Sequence, residues 1–100
     1  MDKNQDQFDV LRKINSSNKL SQRQLASMLG FSLGKLNYCL KSLKQKGLIK
    51  ISRFGKSKNK INYIYILTPQ GIATKTRLTI NFMKRKMKEY DELKKELEKK

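Results

Sequence analysis

Aspartate and glutamate are missing from the whole stretch between Val10 and Lys88, histidine is absent altogether, and cysteine occurs once, at Cys39. Without histidine there is neither a Cys/His zinc site nor the commonest general base. With no acid in the central region and no glycine-rich phosphate loop, no catalytic constellation can be assembled, so the chain is not expected to be an enzyme and no cofactor is implied. A lone cysteine excludes an internal disulfide framework and fits a reducing compartment. The longest apolar run, Tyr63 to Leu67, is far too short to span a bilayer, and Met1 to Gln7 lacks an apolar signal region. These absences predict a cytoplasmic protein with no membrane partner.

What is present is positive charge. The chain has 100 residues and a formal net charge of +16, and 19 of its 24 Lys and Arg residues lie in the acid-free window. All eight acids sit outside it, at Asp2, Asp6, Asp9, Glu89, Asp91, Glu92, Glu96 and Glu98. Soluble surfaces ordinarily mix both signs, because a large field of one sign repels itself and opposes compaction. A lysine-rich composition would not by itself remove every glutamate from so long a window. The asymmetry points to a polyanionic partner, with nucleic acid the leading candidate.

At this length there is room for one small domain and one extended element beyond it. Phe8, Leu11 and Ile14 recur at helical spacing and predict a first helix over about 5–15, ended by Asn15 to Asn18. Ser21-Gln-Arg-Gln24 is a capping-box pattern that opens a second helix, with Leu25, Ala26 and Leu29 on one face and Gly30 as its stop. Ser32 can cap a third helix whose Leu36, Leu40 and Leu43 form one stripe, ending at Gly47. Two β-rich runs, Leu48 to Phe54 and Ile61 to Leu67, flank the basic tip Gly55 to Lys60 and predict a hairpin. Within the second run, Tyr63 and Tyr65 alternate with Ile64 and Ile66, so that one pair faces the core.

Thr68-Pro69 supplies an N-cap and the favoured first helical residue of a last helix that can continue to about Glu98. At ~1.5 Å per residue it would be ~43 Å long, more than the small domain can cover. A heptad frame places Ala73, Ile80 and Met87 at a positions and Thr76, Met83, Tyr90 and Leu97 at d, with Lys94 breaking the frame at a and Leu93 beside it. Such a stripe most simply pairs with its copy in a second chain, and Ile80, Met83, Met87, Tyr90 and Leu97 are the expected homodimer contacts. The alternative is a helix folded back over its own core.

The predicted fold is mainly α with a small β-hairpin: a winged helix-turn-helix DNA-binding domain over 1–68, followed by a long C-terminal dimerisation helix over 69–100. The run from Leu20 through the third helix to Ile49, joined to Tyr65-Ile-Leu-Thr-Pro-Gln-Gly-Ile72, resembles MarR-type transcriptional regulators and looks closest to the short subgroup associated with exopolysaccharide gene clusters. The resemblance implies a bacterial, nucleoid-associated homodimer that binds a pseudo-palindromic operator in double-stranded DNA, usually as a repressor. Many MarR-type proteins are longer, build their dimer from helices at both ends and hold an effector between the dimer and DNA-binding lobes. Here only the C-terminal helix offers itself for pairing, and no residue suggests a small-molecule ligand.

Groove dimensions assign the roles. A major groove about 12 Å wide admits one α-helix, whose N-terminal residues reach base edges first. The expected contacts are Ser32, Gly34, Lys35, Asn37, Tyr38, Lys41 and Ser42, with Gly34 allowing close approach of the backbone. On the hairpin, Arg53, Lys56, Ser57, Lys58 and Lys60 are placed to reach an adjacent minor groove or its phosphates. Ser21, Gln22 and Arg23 stand at a helix N-terminus that favours a phosphate, although capping alone accounts equally well for Ser21. Cys39 falls beside the apolar stripe, where a thiol is ordinarily inert packing rather than a redox sensor. Two other readings compete: a non-specific architectural DNA- or RNA-binding protein, and a winged helix that binds another protein through its last helix.

Overall fold

The computed structural model describes residues 3–16, 19–57 and 60–99. Its elements run α1 (Lys3–Ser16), β1 (Lys19–Leu20), α2 (Gln22–Leu29), α3 (Leu33–Gln45), β2 (Ile49–Ser57), β3 (Lys60–Leu67) and α4 (Pro69–Glu98). The helix boundaries follow from local chemistry. At the start of α2 both halves of the capping box form: the Gln24 amide donates to Ser21 Oγ at 3.1 Å, and the Ser21 amide donates to Gln24 Oε1 at 2.9 Å. Gly30, at φ 72°, closes α2 in the left-handed region that an L side chain disfavours. Ser32 caps α3 by accepting from the Lys35 amide.

Two features extend the sequence reading. β1 is a two-residue strand that was not expected; it pairs antiparallel with β3 at Lys19↔Ile64 and Leu20↔Tyr63, giving a three-stranded sheet in the order β1-β3-β2. The hairpin arms also run further than the hydrophobic pattern suggested. Gly55↔Asn62, Lys56↔Ile61 and Ser57↔Lys60 are still paired, after a register shift between Arg53 and Gly55. That shift is a bulge, which bends the strand and adds twist to the arm.

One core unites the elements. Val10, Leu11 and Ile14 of α1 meet Leu25 and Ala26 of α2, Leu36, Cys39, Leu40 and Leu43 of α3, and Leu48, Ile49, Tyr65 and Leu67 of the sheet. Each large side chain so buried contributes on the order of 1.5–3 kcal/mol. The tyrosines are the inward pair of β3: Tyr65 is wholly buried and Tyr63 half-buried, with ring centroids 5.9 Å apart.

The long helix is tied to this core through its first turn. Thr68 Oγ1 accepts from the Gly71 amide at 3.0 Å and donates to the Gly47 carbonyl at 2.6 Å, while the Thr68 amide donates to the Leu48 carbonyl at 3.0 Å. Gly71 is buried directly against that carbonyl group. Further along, Phe82 of α4 meets Phe8 of α1 with ring centroids 6.0 Å apart. Beyond Phe82 every residue of α4 is exposed, and the described residues extend 60 × 26 × 21 Å.

Gly71→Ala is therefore expected to destabilise the fold. A Cβ there would overlap the Leu48 carbonyl oxygen and lie 2.9 Å from its carbon, both backbone atoms with little room to give. Denaturant unfolding should show a loss of at least ~2 kcal/mol, outweighing the ~1 kcal/mol that alanine gains in helix propensity.

Tyr65 yields a second prediction. Its hydroxyl is buried without a hydrogen-bond partner; Gln22 lies near enough to ease the effect but does not complete a bond. Burial, reinforced by Tyr63, pushes its pKa up to about 12. The unfolded phenol ionises near pH 10, so between about pH 10 and 12 the unfolded state alone loses its proton, and stability falls as pH rises, by up to about 2–3 kcal/mol. Tyr65→Phe should be neutral or stabilising near pH 7 and should abolish this alkaline component when melts of the two chains are compared.

Candidate nucleic-acid interface

The outward side of α3 is the candidate surface. Leu36, Leu40 and Leu43 bury one face of that helix, which leaves Gly34, Asn37, Tyr38, Lys41 and Gln45 along the opposite, exposed one. A Cβ placed on Gly34 would meet nothing within 4 Å, so the chain's own packing does not require a glycine there. Its backbone φ is not positive either, so neither packing nor backbone conformation demands a glycine there.

The seven α3 positions named from sequence do not all face the same way. Lys35 turns to the flank, where its ammonium lies 3.3 Å from Asp6 of α1 and 4.3 Å from the centroid of the Phe31 ring. Ser42 lies on the same flank and its hydroxyl accepts from Gln7 Nε2 at 3.2 Å. Gln7 Oε1 in turn accepts from Lys46 Nζ at 2.9 Å. Asp6 and Gln7 thus bolt α1 to the edge of α3 along its length, and neither was singled out from sequence. Ser32 sits at the N-cap with its oxygen engaged by the Lys35 amide, while its hydroxyl proton remains available to an outside acceptor. Leu33, in the first turn and 42% exposed, is a further candidate that the sequence reading passed over. An apolar side chain at that place suits a thymine methyl group.

Among the described residues, the fully exposed charges of α2, α3 and β2 are all positive. Arg23 stands in the first turn of α2, and Lys50 and Arg53 are exposed on β2. Ser21 is committed to the capping box, and Gln22 is half-buried beside Tyr65. On the wing, the backbones of Lys56 and Ser57 belong to β2 and that of Lys60 to β3; the expected contact at Lys58 lies outside the described residues. The Cys39 thiol is buried in the core, which raises its pKa, with Asp6 adding to the rise and Lys35 opposing it. A buried thiol held protonated is a poor nucleophile, the reverse of what a redox sensor requires.

Two other surface features stand out. A cleft of about 360 Å³ lies between α1, the end of α3 and the first turns of α4, lined in part by Leu11, Leu43, Lys46, Thr74 and Arg77. On α4, Ile80, Met83, Met87, Tyr90 and Leu97 are 47–73% exposed, so the stripe anticipated from the heptad frame is uncovered within a single chain. No described helix is long and apolar enough to cross a membrane.

Residues 7–50, from α1 to the start of β2, match the family model for winged helix-turn-helix DNA-binding domains. No curated protein sequence matches the chain. Among solved structures it is similar to the PcaV transcriptional regulator of Streptomyces coelicolor, with a TM-score of 0.69 at 20% identity over 78% of this chain and 56% of that one. The zinc-responsive MarR family member ZitR of Lactococcus lactis gives a TM-score of 0.66 at 22% identity over 87% and 58%. The transcriptional repressor CouR, solved bound to a 23-mer DNA duplex, gives 0.60 at 27% identity over 70% and 48%. The chain thus spans about half the length of the regulators it matches. Residues 7–50 are thus similar to winged helix-turn-helix DNA-binding domains, and the chain shares its fold with PcaV and ZitR.

Proposed function

We propose that the protein is a homodimeric transcription regulator that binds a pseudo-palindromic operator in double-stranded DNA, with α3 as the recognition helix, and that it represses by occupying its site. The observation that carries this reading is the outward face of α3. It presents Gly34, Asn37, Tyr38 and Lys41 on a stretch of chain that contains no acid from Val10 to Lys88, in a region matched to the winged helix-turn-helix family. Asn37 is of the type that pairs with adenine N6/N7, and Lys41 of the type that donates to guanine O6/N7. Ser32 and Tyr38 supply hydroxyls for bases or phosphates, and Arg23, Lys50, Arg53 and the wing lysines supply phosphate contacts that set register. Lys35 and Ser42 act from the flank, fixing the tilt of α3 against α1 and reaching DNA only at its edge. The division of labour is residues 1–68 for DNA and 69–100 for pairing, with the first turns of α4 serving both by locking the two parts together. CouR, described as a repressor and seen on DNA, supports the direction of regulation.

The competing architectural role shares the strong dependence on salt but not the preference for a site. A regulator prefers its operator by ~10³ or more over other DNA at physiological salt.

Gly34→Ala separates interface from fold. The substitution should leave the protein as stable or raise its stability by roughly 0.5–1 kcal/mol, because alanine favours a helix. DNA affinity measured by fluorescence anisotropy should nevertheless fall by about tenfold, ~1.4 kcal/mol, as the added methyl meets the duplex. Unchanged affinity would remove the N-terminal turn of α3 from the interface. Replacing Lys56 and Lys58 with alanine should weaken binding to all sequences alike and flatten the log–log salt dependence by about one unit for each phosphate no longer neutralised. An unaltered slope would place the wing away from DNA.

A further inference from the structure

We propose that two copies of the chain pair through α4 in antiparallel orientation, with Met87 of each copy packed against Tyr90 of the other. This rests on the homodimer proposed above and supplies what that reading leaves open, the direction and register of the helices.

The face of α4 is set by its packing. Gly71, Leu78 and Phe82 turn toward the domain, whereas Ile80, Met83 and Met87 lie roughly 150° around the helix, given about 100° per residue. A second helix can therefore cover the stripe without displacing any contact of the first domain.

Direction follows from charge. From Lys75 to Lys88 the helix carries Lys75, Arg77, Lys84, Arg85, Lys86 and Lys88 with no acid; from Glu89 to Glu98 it carries five acids and only Lys94 and Lys95. In a parallel pair each half would face its own copy. Lys94, at a core position of the heptad, would then oppose the partner's Lys94, two ammonium groups across one layer. The one favourable flanking pair of that arrangement, Lys86 with the partner's Asp91, would draw on a lysine already 3.3 Å from Glu89 in its own chain.

Reversing one helix removes the conflict. When a positions layer on d positions, Ile80 meets the partner's Leu97, Met83 the partner's Lys94 and Met87 the partner's Tyr90, and the remaining layers follow by symmetry. The residues flanking the seam at each e position are Arg77, Lys84, Asp91 and Glu98. In this register Arg77 faces the partner's Glu98 and Lys84 the partner's Asp91, four opposite-charge pairs per dimer, and flanking pairs of this kind set helix orientation. Within the single chain, and among the described residues, none of these four has an ion-pair partner.

The same register spaces the domains. The anchor of each domain on α4, centred near Arg77, lies about 23 residues along the coil from its mate, or ~35 Å at ~1.5 Å per residue. That matches one turn of B-DNA, the separation between successive major grooves on one face of the duplex.

Ile80→Cys and Leu97→Cys chains, prepared separately and then mixed under glutathione redox buffer, test the proposal, with the unsubstituted chain and its buried Cys39 as control. The mixture should form a disulfide-linked dimer joining one chain of each kind. Neither chain alone should do so, since each substituted position lies ~25 Å from its own copy in the antiparallel register, far beyond disulfide reach. Self-linking of Leu97→Cys alone would establish a parallel pair, overturning this proposal while sparing the dimer. A dimer by sedimentation that links in no combination would move the interface off α4, and a monomer would overturn the homodimer itself. As a second readout, Lys84→Glu should raise the dimer dissociation constant several-fold and Lys84→Glu/Asp91→Lys should restore it. Failure of that restoration in a chain that still dimerises would exclude the Lys84 to Asp91 pairing.

Discussion

The contact of Gly71 with the Leu48 carbonyl is the constraint on which the rest of this molecule depends. Leu48 follows the turn that ends α3 and precedes β2, so its carbonyl sits where α3, the sheet and α4 converge. Thr68 completes the junction by capping α4, donating its hydroxyl to Gly47 and its amide to Leu48. Because a backbone group of one element presses on a residue without a side chain in the other, the joint has little freedom to slide. Any force that reorients α4, including a partner helix along its far end, is transmitted to the base of α3. In the proposed dimer, the spacing of the two α3 helices would be determined by this joint together with the register of α4.

Electrostatics impose a complementary division. Acidic side chains occur only at the two ends of the sequence, and the fold holds them off the outward face of α3. Asp6 meets Lys35 on the flank of α3, and the carboxylates from Glu89 onward lie on the projecting part of α4. The surface between them stays positive at Arg23, Lys41, Lys50 and Arg53, where any carboxylate would repel phosphate. Self-repulsion in such a surface opposes folding, and the dense core beneath it, from Val10 to Leu67, offsets that cost.

Most of the architecture was legible in the chain because its boundaries are written in short-range chemistry. Ser21 with Gln24, Gly30, Ser32 and Thr68-Pro69 each act on backbone groups within four residues, so a local pattern suffices to place them. What escaped depends on distant partners. β1 is two residues whose only reason to be a strand is the open edge of β3, more than forty positions later. The hairpin arms continue to Ser57 and Lys60 by backbone pairing that no hydrophobic alternation signals. At the candidate site, periodicity found the outward face of α3 but could not show that Lys35 and Ser42 bend back to Asp6 and Gln7. The exposure of Leu33 at the start of α3 was likewise not legible, because an apolar residue type gives no sign of an outward position.

The central claim is that this basic surface reads a sequence rather than phosphate alone. Recovery of fragmented genomic DNA on the purified protein at ~150 mM salt, which suppresses much phosphate-only binding, addresses it most directly. A sequence-reading regulator should give a few strongly enriched sites sharing an inverted repeat, with half-site centres about one helical turn apart. Uniform recovery across the genome would contradict it and identify an architectural protein instead.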